Sequence, residues 1–270
     1  NYAEEAYVEL FASRILRGIS RWCQNEHLNT LLLWSDHDGR PGVGLDAALP
    51  RIDGLLVFDL RYDSDLMEQL RNATVPTVLI NEPARRNDEY SVTIDNHQGG
   101  HLAVTHLIDA GHRRIGLITG DIHTYPGNER HSGAMAALSE AGAPPPSSWI
   151  IDASFCPERA RNGIRTLYGQ PAPDDLPTAL FVASDWMAMT VIEELRALGR
   201  RVPEDVSIVG FDNSLIAPAL TPPLTTVGQP LEEAGRLAAD LLSRMVRGGA
   251  PPASIVLPAE LHSRQSVLAS

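Results

Sequence analysis

The sequence predicts an α/β fold of parallel sheets covered by helices, and three observations lead there. Apolar runs of strand length alternate with stretches of helical period along almost the whole chain, the pattern of strands joined by covering helices. The apolar runs are continuous rather than alternating, which suits strands buried on both faces. The runs also end in polar residues, and open parallel sheets hold ligands just beyond the carboxyl ends of their strands.

Taken in order, the strand runs are "TLLLW" (30–34), "GLLVF" (54–58), "TVLI" (77–80), "RIGLIT" (114–119), "ALFVA" (179–183) and "VSIVGF" (206–211). Helical periodicity marks about 8–27, 64–72, 96–110, 128–142, 157–168, 185–199 and 230–247. Asp95-Asn96 offers a side-chain cap to the third of these helices and Gly111 a left-handed stop. Ser184-Asp185 caps the sixth, Gly199 ends it, and Pro203 keeps it from resuming. Pro144-Pro145-Pro146 and Pro222-Pro223 mark extended connectors. A helix starting near residue 8 needs a strand ahead of it, and "NYAEEAY" is too polar for one. The natural chain is therefore expected to extend further toward its N-terminus.

With 270 residues, 43% of them hydrophobic, the chain can bury a sizeable core in one large or two medium domains. It has no run of about 18 apolar residues, and its opening "NYAEEAYVEL" lacks the basic and apolar regions of a secretory signal. Cys23 and Cys156 have no C-x-x-C spacing and read as buried thiols. The net charge of −12 opposes binding to a phosphate backbone, although all 22 basic residues are Arg.

The nine His residues are scattered without a ligand spacing, so no metal and no cofactor is expected. "GVGLDA" (42–47) matches G-x-G-x-x-A outside the strand-to-helix turn that a dinucleotide fingerprint needs. No G-x-S-x-G elbow, P-loop or other catalytic spacing occurs, and an enzyme is not expected.

The polar residues at the strand ends are Ser35-Asp36, Asp59, Asn81-Glu82, Gly120-Asp121, Ser184-Asp185 and Asp212-Asn213. Helix capping accounts for some of them. It accounts poorly for Asp212, because "SLIAPALTPPL" is rich in proline and has little helical pattern. A buried strand that delivers a carboxylate to a cleft can hold ligand hydroxyls.

The segment from "ALFVASDWMAMT" to "GRLAADLL" (179–242) closely resembles the effector-binding domain of the LacI/GalR family of transcription regulators. "GLLVFD" at 54, "VTIDNHQGGHLAVTHLIDAGHRRIGLITG" at 92 and "ERHSGAMAALSEAG" at 129 extend the resemblance to residues 8–268. It implies a periplasmic-binding-protein-like fold of two doubly wound parallel-sheet subdomains joined by three crossovers. The expected boundaries are 1–110 with 231–258 for the first subdomain and 111–230 with 259–270 for the second. The family's DNA-binding helix-turn-helix precedes the region matched and is absent from this sequence.

By the same resemblance, the implied function is to sense a small polar effector, such as a sugar or sugar derivative, in a cytoplasmic homodimer. That dimer would bind operator DNA through its N-terminal heads and no membrane. A solute-binding protein of a sugar transporter is the alternative with the same fold. Residues 64–72 are expected on the dimer surface.

Motif by motif, Asp212 in "GFDN" is implied to hold ligand hydroxyls, Arg130 in "RHSG" to be the cationic contact, and Gln229 in "TTVGQP" a further polar contact. Phe155 takes the place of an aromatic plate, with Phe11 in the first loop and Trp186 and Tyr125 flanking the cleft. Ser184 replaces the usual Asn of "A-N-D" with a shorter group, and "ELFA" (9–12) replaces "N-P-F-F".

Overall fold

A computed structural model describes residues 2–33, 45–58, 67, 69–70, 72–73, 75–86, 89–169, 176–249 and 254–268, leaving out the side chains of 2–10 and 46. The strands form two sheets. The first holds β1 (Leu55–Phe58), β2 (Thr77–Ile80), β3 (Tyr90–Ile94) and β9 (Ile255–Leu257) in that order, all parallel. The second runs β10 (Glu260–His262), β8 (Thr225–Gly228), β7 (Ser207–Asp212), β6 (Ala179–Val182), β4 (Ile115–Thr119) and β5 (Ile150–Asp152). Only β10 lies antiparallel to its neighbour.

The continuous apolar runs are explained by burial on both faces. Along β4, β6 and β7 every residue is buried, and successive side chains point to opposite sides of the sheet. Ile115, Leu117, Phe181, Val209 and Phe211 join one core cluster, while Ile118, Leu180, Val182 and Ile208 join the other.

Helices α3 (Asn96–Asp109) and α4 (Tyr125–Glu140) pack on each other, with Ala103, Val104, Leu107, Ala134 and Leu138 in the first cluster. The opposite face carries α5 (Pro157–Tyr168) and α6 (Asp185–Ala197) through Ala160, Ile164, Met187 and Val191. On the first sheet lie α1 (Tyr2–Asn25) and α7 (Leu231–Val246), joined through Ile15, Ile19, Ala234 and Ala238. The short α2 (Leu45–Ala48) precedes β1.

Among the described strands the chain passes between the sheets three times: from β3 to β4, from β8 to β9, and from β9 to β10. The first passage corrects the boundary expected at residue 110. Helix α3 contacts α4 and strands β6, β7, β8 and β10, so the crossing comes before the helix, near residue 95. Two glycines make that packing possible. A Cβ on Gly100 would stand 2.1 Å from the Arg130 carbonyl oxygen, and one on Gly133 would stand 1.9 Å from that of His97.

Residues 30–33 of the strand expected at 30–34 form no strand. Leu31 is 61% exposed and Leu32 46%; a strand needs a ladder partner for its amides, and none of the described strands pairs with this segment. Residue 34, most of the helix expected at 64–72 and most of "GVGLDA" lie outside the described residues. The caps are where the sequence puts them. The Asp95 carboxylate accepts from the Gln98 N–H at 2.8 Å, Ser184 Oγ accepts from that of Met187 at 3.2 Å, and Gly111 and Gly199 have φ of 100° and 76°.

Candidate functional site

The site is built around the end of β7. The strand is clamped between β6 and β8, and beyond it the backbone turns sharply. Asp212 has φ of 118° and Asn213 of 45°, a conformation that L side chains rarely adopt and that costs energy unless the surroundings enforce it. Here they do. The Asn213 N–H donates to Thr226 Oγ1 at 3.3 Å, and Arg264 Nη2 donates to Asn213 Oδ1 at 2.7 Å. From the first unit, Arg14 Nη1 donates to the Asp212 carbonyl at 2.9 Å.

So held, the Asp212 carboxylate meets two other sequence-predicted residues. Its Oδ1 accepts from Gln229 Nε2 at 2.7 Å and from Arg130 Nη1 at 3.4 Å. Arg130 is only 1% exposed, and a charge so buried must be paired and hydrogen-bonded. Its Nε donates to Asn96 Oδ1 at 2.9 Å, its Nη1 also to the Ala183 carbonyl at 2.7 Å, and its guanidinium lies 3.9 Å over the Phe211 ring. A cation over an aromatic face is attracted to it.

Nη2 of Arg130 has no acceptor among the described residues. The buried Gln229 Oε1 likewise has no donor. Asn96, read from sequence as part of a cap, is instead a link: its Nδ2 donates to Asn81 Oδ1 at 3.0 Å, at the end of β2.

A second carboxylate, Asp185 at the start of α6, lies close by. It accepts from Thr226 Oγ1 at 2.6 Å and from the Ser214 N–H and Oγ at 2.7 and 2.9 Å. Burial, then the negative charge of Asp212, pushes its pKa up to about 7. Burial also pushes Asp212 up to about 6, against the opposing pull of Arg130 and the Gln229 hydrogen bond. Two carboxyls this close resist being ionised together.

A small pocket of about 20 Å³ opens beside this cluster, lined by Phe11, Arg14, Trp186, Asp212, Ser214, Ile216 and Leu231. Phe11, Arg14 and Leu231 come from α1 and α7 of the first unit and the rest from the second, so the pocket lies between them. Of the predicted residues, Asp212, Arg130 and Gln229 are brought into one hydrogen-bonded group, and Phe11 and Trp186 line the pocket.

Three others are not among the residues lining the pocket. Ser184 is fully buried with its hydroxyl engaged in capping α6. Phe155 packs its ring against Gly120 and lies 5.6 Å from the Arg130 guanidinium. Tyr125 starts α4 near Glu129, Asp95, Glu82 and Arg85; burial and the nearby acids push its hydroxyl pKa up. Arg14, Asn96 and Asp185 were not singled out as site residues from the sequence: Arg14 reads as an ordinary helix residue, and Asn96 and Asp185 as parts of helix caps.

Residues 104–267 match the family described as periplasmic binding protein-like domain. Over 263 residues, 95% of this chain and 76% of the relative, the chain is 35% identical to the HTH-type transcriptional repressor PurR of Edwardsiella ictaluri (strain 93-146). Among solved structures it is similar to the transcriptional regulator CelR–cellobiose complex, with a TM-score of 0.86 and 34% identity over 97% of this chain and 81% of that one. A LacI regulator from Bacillus cereus subsp. cytotoxis NVH 391-98 gives a TM-score of 0.89 and 26% identity, covering 99% and 95%.

These relatives are regulators, not enzymes, and they set aside the transporter alternative. With its two parallel-sheet units and three crossings, the chain belongs to the LacI/GalR family of transcriptional regulators and forms a ligand-sensing, effector-binding domain.

Proposed function

We propose that a small polar effector, a sugar or sugar derivative, binds between the two units on Asp212, Arg130 and Gln229. One observation carries this reading. Three nearly buried polar side chains are bonded to one another, yet Gln229 Oε1 lacks a donor and Arg130 Nη2 lacks an acceptor among the described residues. A buried unsatisfied group costs about 1–3 kcal/mol. A ligand hydroxyl is both donor and acceptor: it relieves the buried Gln229 Oε1 and offers Arg130 Nη2 an acceptor. Phe11 and Trp186 add aromatic faces for the C–H side of a sugar ring, and the similar regulator CelR, solved as a cellobiose complex, supports a saccharide.

Binding across the gap favours the closed arrangement of the units. In a homodimer, that shift reaches the helix-turn-helix of the full-length cytoplasmic regulator and changes its affinity for operator DNA. Calorimetry with a panel of sugars tests the pocket. Asp212→Ala weakens the binding of any sugar that wild type takes up by at least about 2 kcal/mol, since a charged acceptor is lost. Unchanged affinity in that variant overturns the assignment.

A further inference from the structure

We propose that the effector carries an oxyanion, a carboxylate or phosphate on its polyol frame, and that Arg14 is the residue that selects it. This inference rests on the effector site proposed above and narrows its ligand. Arg14 lies three residues after Phe11 on α1, so the two share a helix face, and both line the pocket together with Asp212.

The Arg14 guanidinium donates Nη1 to the carbonyl of Asp212 at 2.9 Å and Nη2 to that of Gln229 at 3.0 Å. Both acceptors are neutral. Among the described residues no carboxylate oxygen lies within ion-pair distance of Arg14, whereas Arg130 has Asp212 Oδ1 at 3.4 Å. Among the described residues, the pocket region thus holds two guanidinium groups for one adjacent carboxylate. Asp185 does little to redress this, because burial and the charge of Asp212 push it toward its neutral form. On a chain of net charge −12, the described residues around the pocket carry a local positive excess.

An arginine has five N–H donors in a planar fork, and two carbonyls leave most of them available. Charge-assisted bonds from such a fork to an oxyanion are about twice as strong as neutral ones. A neutral sugar closed into the pocket leaves Arg14 only the charge of Asp212, beyond ion-pair distance, whereas a carboxylate or phosphate pairs with it directly.

Calorimetric titration of glucose, glucose 6-phosphate and glucuronate, and of galactose, galactose 6-phosphate and galacturonate, compares charged with neutral frames. The proteins are wild type, Arg14→Gln and Arg14→Lys. The expected result is that at least one charged sugar binds wild type about tenfold more tightly than its neutral parent. That ratio collapses in Arg14→Gln and partly returns in Arg14→Lys. The ratio is the diagnostic, because losing the two carbonyl contacts alters charged and neutral ligands alike.

A phosphate-only or carboxylate-only advantage identifies the source of the oxyanion. Neutral sugars that bind through Asp212 with no gain from charge, or a gain unchanged in Arg14→Gln, overturn the role of Arg14 and leave the effector site standing. No binding by any of the six, while a wider panel of neutral sugars binds, overturns it as well. No binding by any polyol removes both.

Discussion

Asp212 sits on a backbone that most side chains avoid, in a carboxyl environment that resists ionisation, and its neighbour Asp185 shares that resistance. The sign of the resulting pH dependence follows from linkage. Asp185 has an ordinary value of 3.8 and is raised to about 7 in the fold. Its contribution to stability is therefore fully present below about pH 4 and is lost as pH rises toward about 7.

Asp185→Asn removes that titration. The melting temperature of wild type minus that of Asp185→Asn is expected to fall between about pH 4 and about pH 7 and to level off above. A difference that rises over this range contradicts the assigned environment. At this scale the sequence disclosed Asp212 because a buried apolar run ended on it without a helix to cap. It concealed Arg14, whose two acceptors lie 198 and 215 positions away. At Ser184 it disclosed the helix cap that the structure shows.

Among the elements, the pair α3 and α4 fixes the position of Arg130. Gly100 faces the Arg130 backbone and Gly133 that of His97, so the helices are as close as their backbones allow. Gly133→Ala inserts a methyl where a carbonyl already stands. It is expected to cost about 1–3 kcal/mol in urea denaturation and to weaken sugar binding by displacing Arg130. A variant as stable as wild type would show that the helices separate freely and that their spacing does not fix the site.

The elements legible in the sequence are those with a long apolar run or a strong helical period. β3 was hidden because Ser91 and Thr93 interrupt its apolar pattern. The structure buries both, with the Ser91 N–H donating to Ser254 Oγ at 3.2 Å and Thr93 Oγ1 to the Ile255 carbonyl at 3.4 Å. β5, β9 and β10 span three residues each, too few to show a period. The run at 30–34 had the composition of a strand, but composition does not provide a partner.

For the whole molecule, the alternation of runs and helices disclosed the α/β class. It did not show where the chain leaves one sheet for the other, since the crossing after β3 has no linker and goes directly into a helix. Both units line the pocket: Phe11, Arg14 and Leu231 from one side, and Trp186, Asp212, Ser214 and Ile216 from the other.

The most direct measurement is a crystal structure of this chain with a sugar found by the binding panel. The proposed function predicts ring hydroxyls within about 3 Å of the Asp212 carboxylate and Gln229 Oε1, with Arg130 Nη2 on a sugar oxygen. A sugar bound outside the gap between the two sheets, or inside it without touching Asp212, would contradict it.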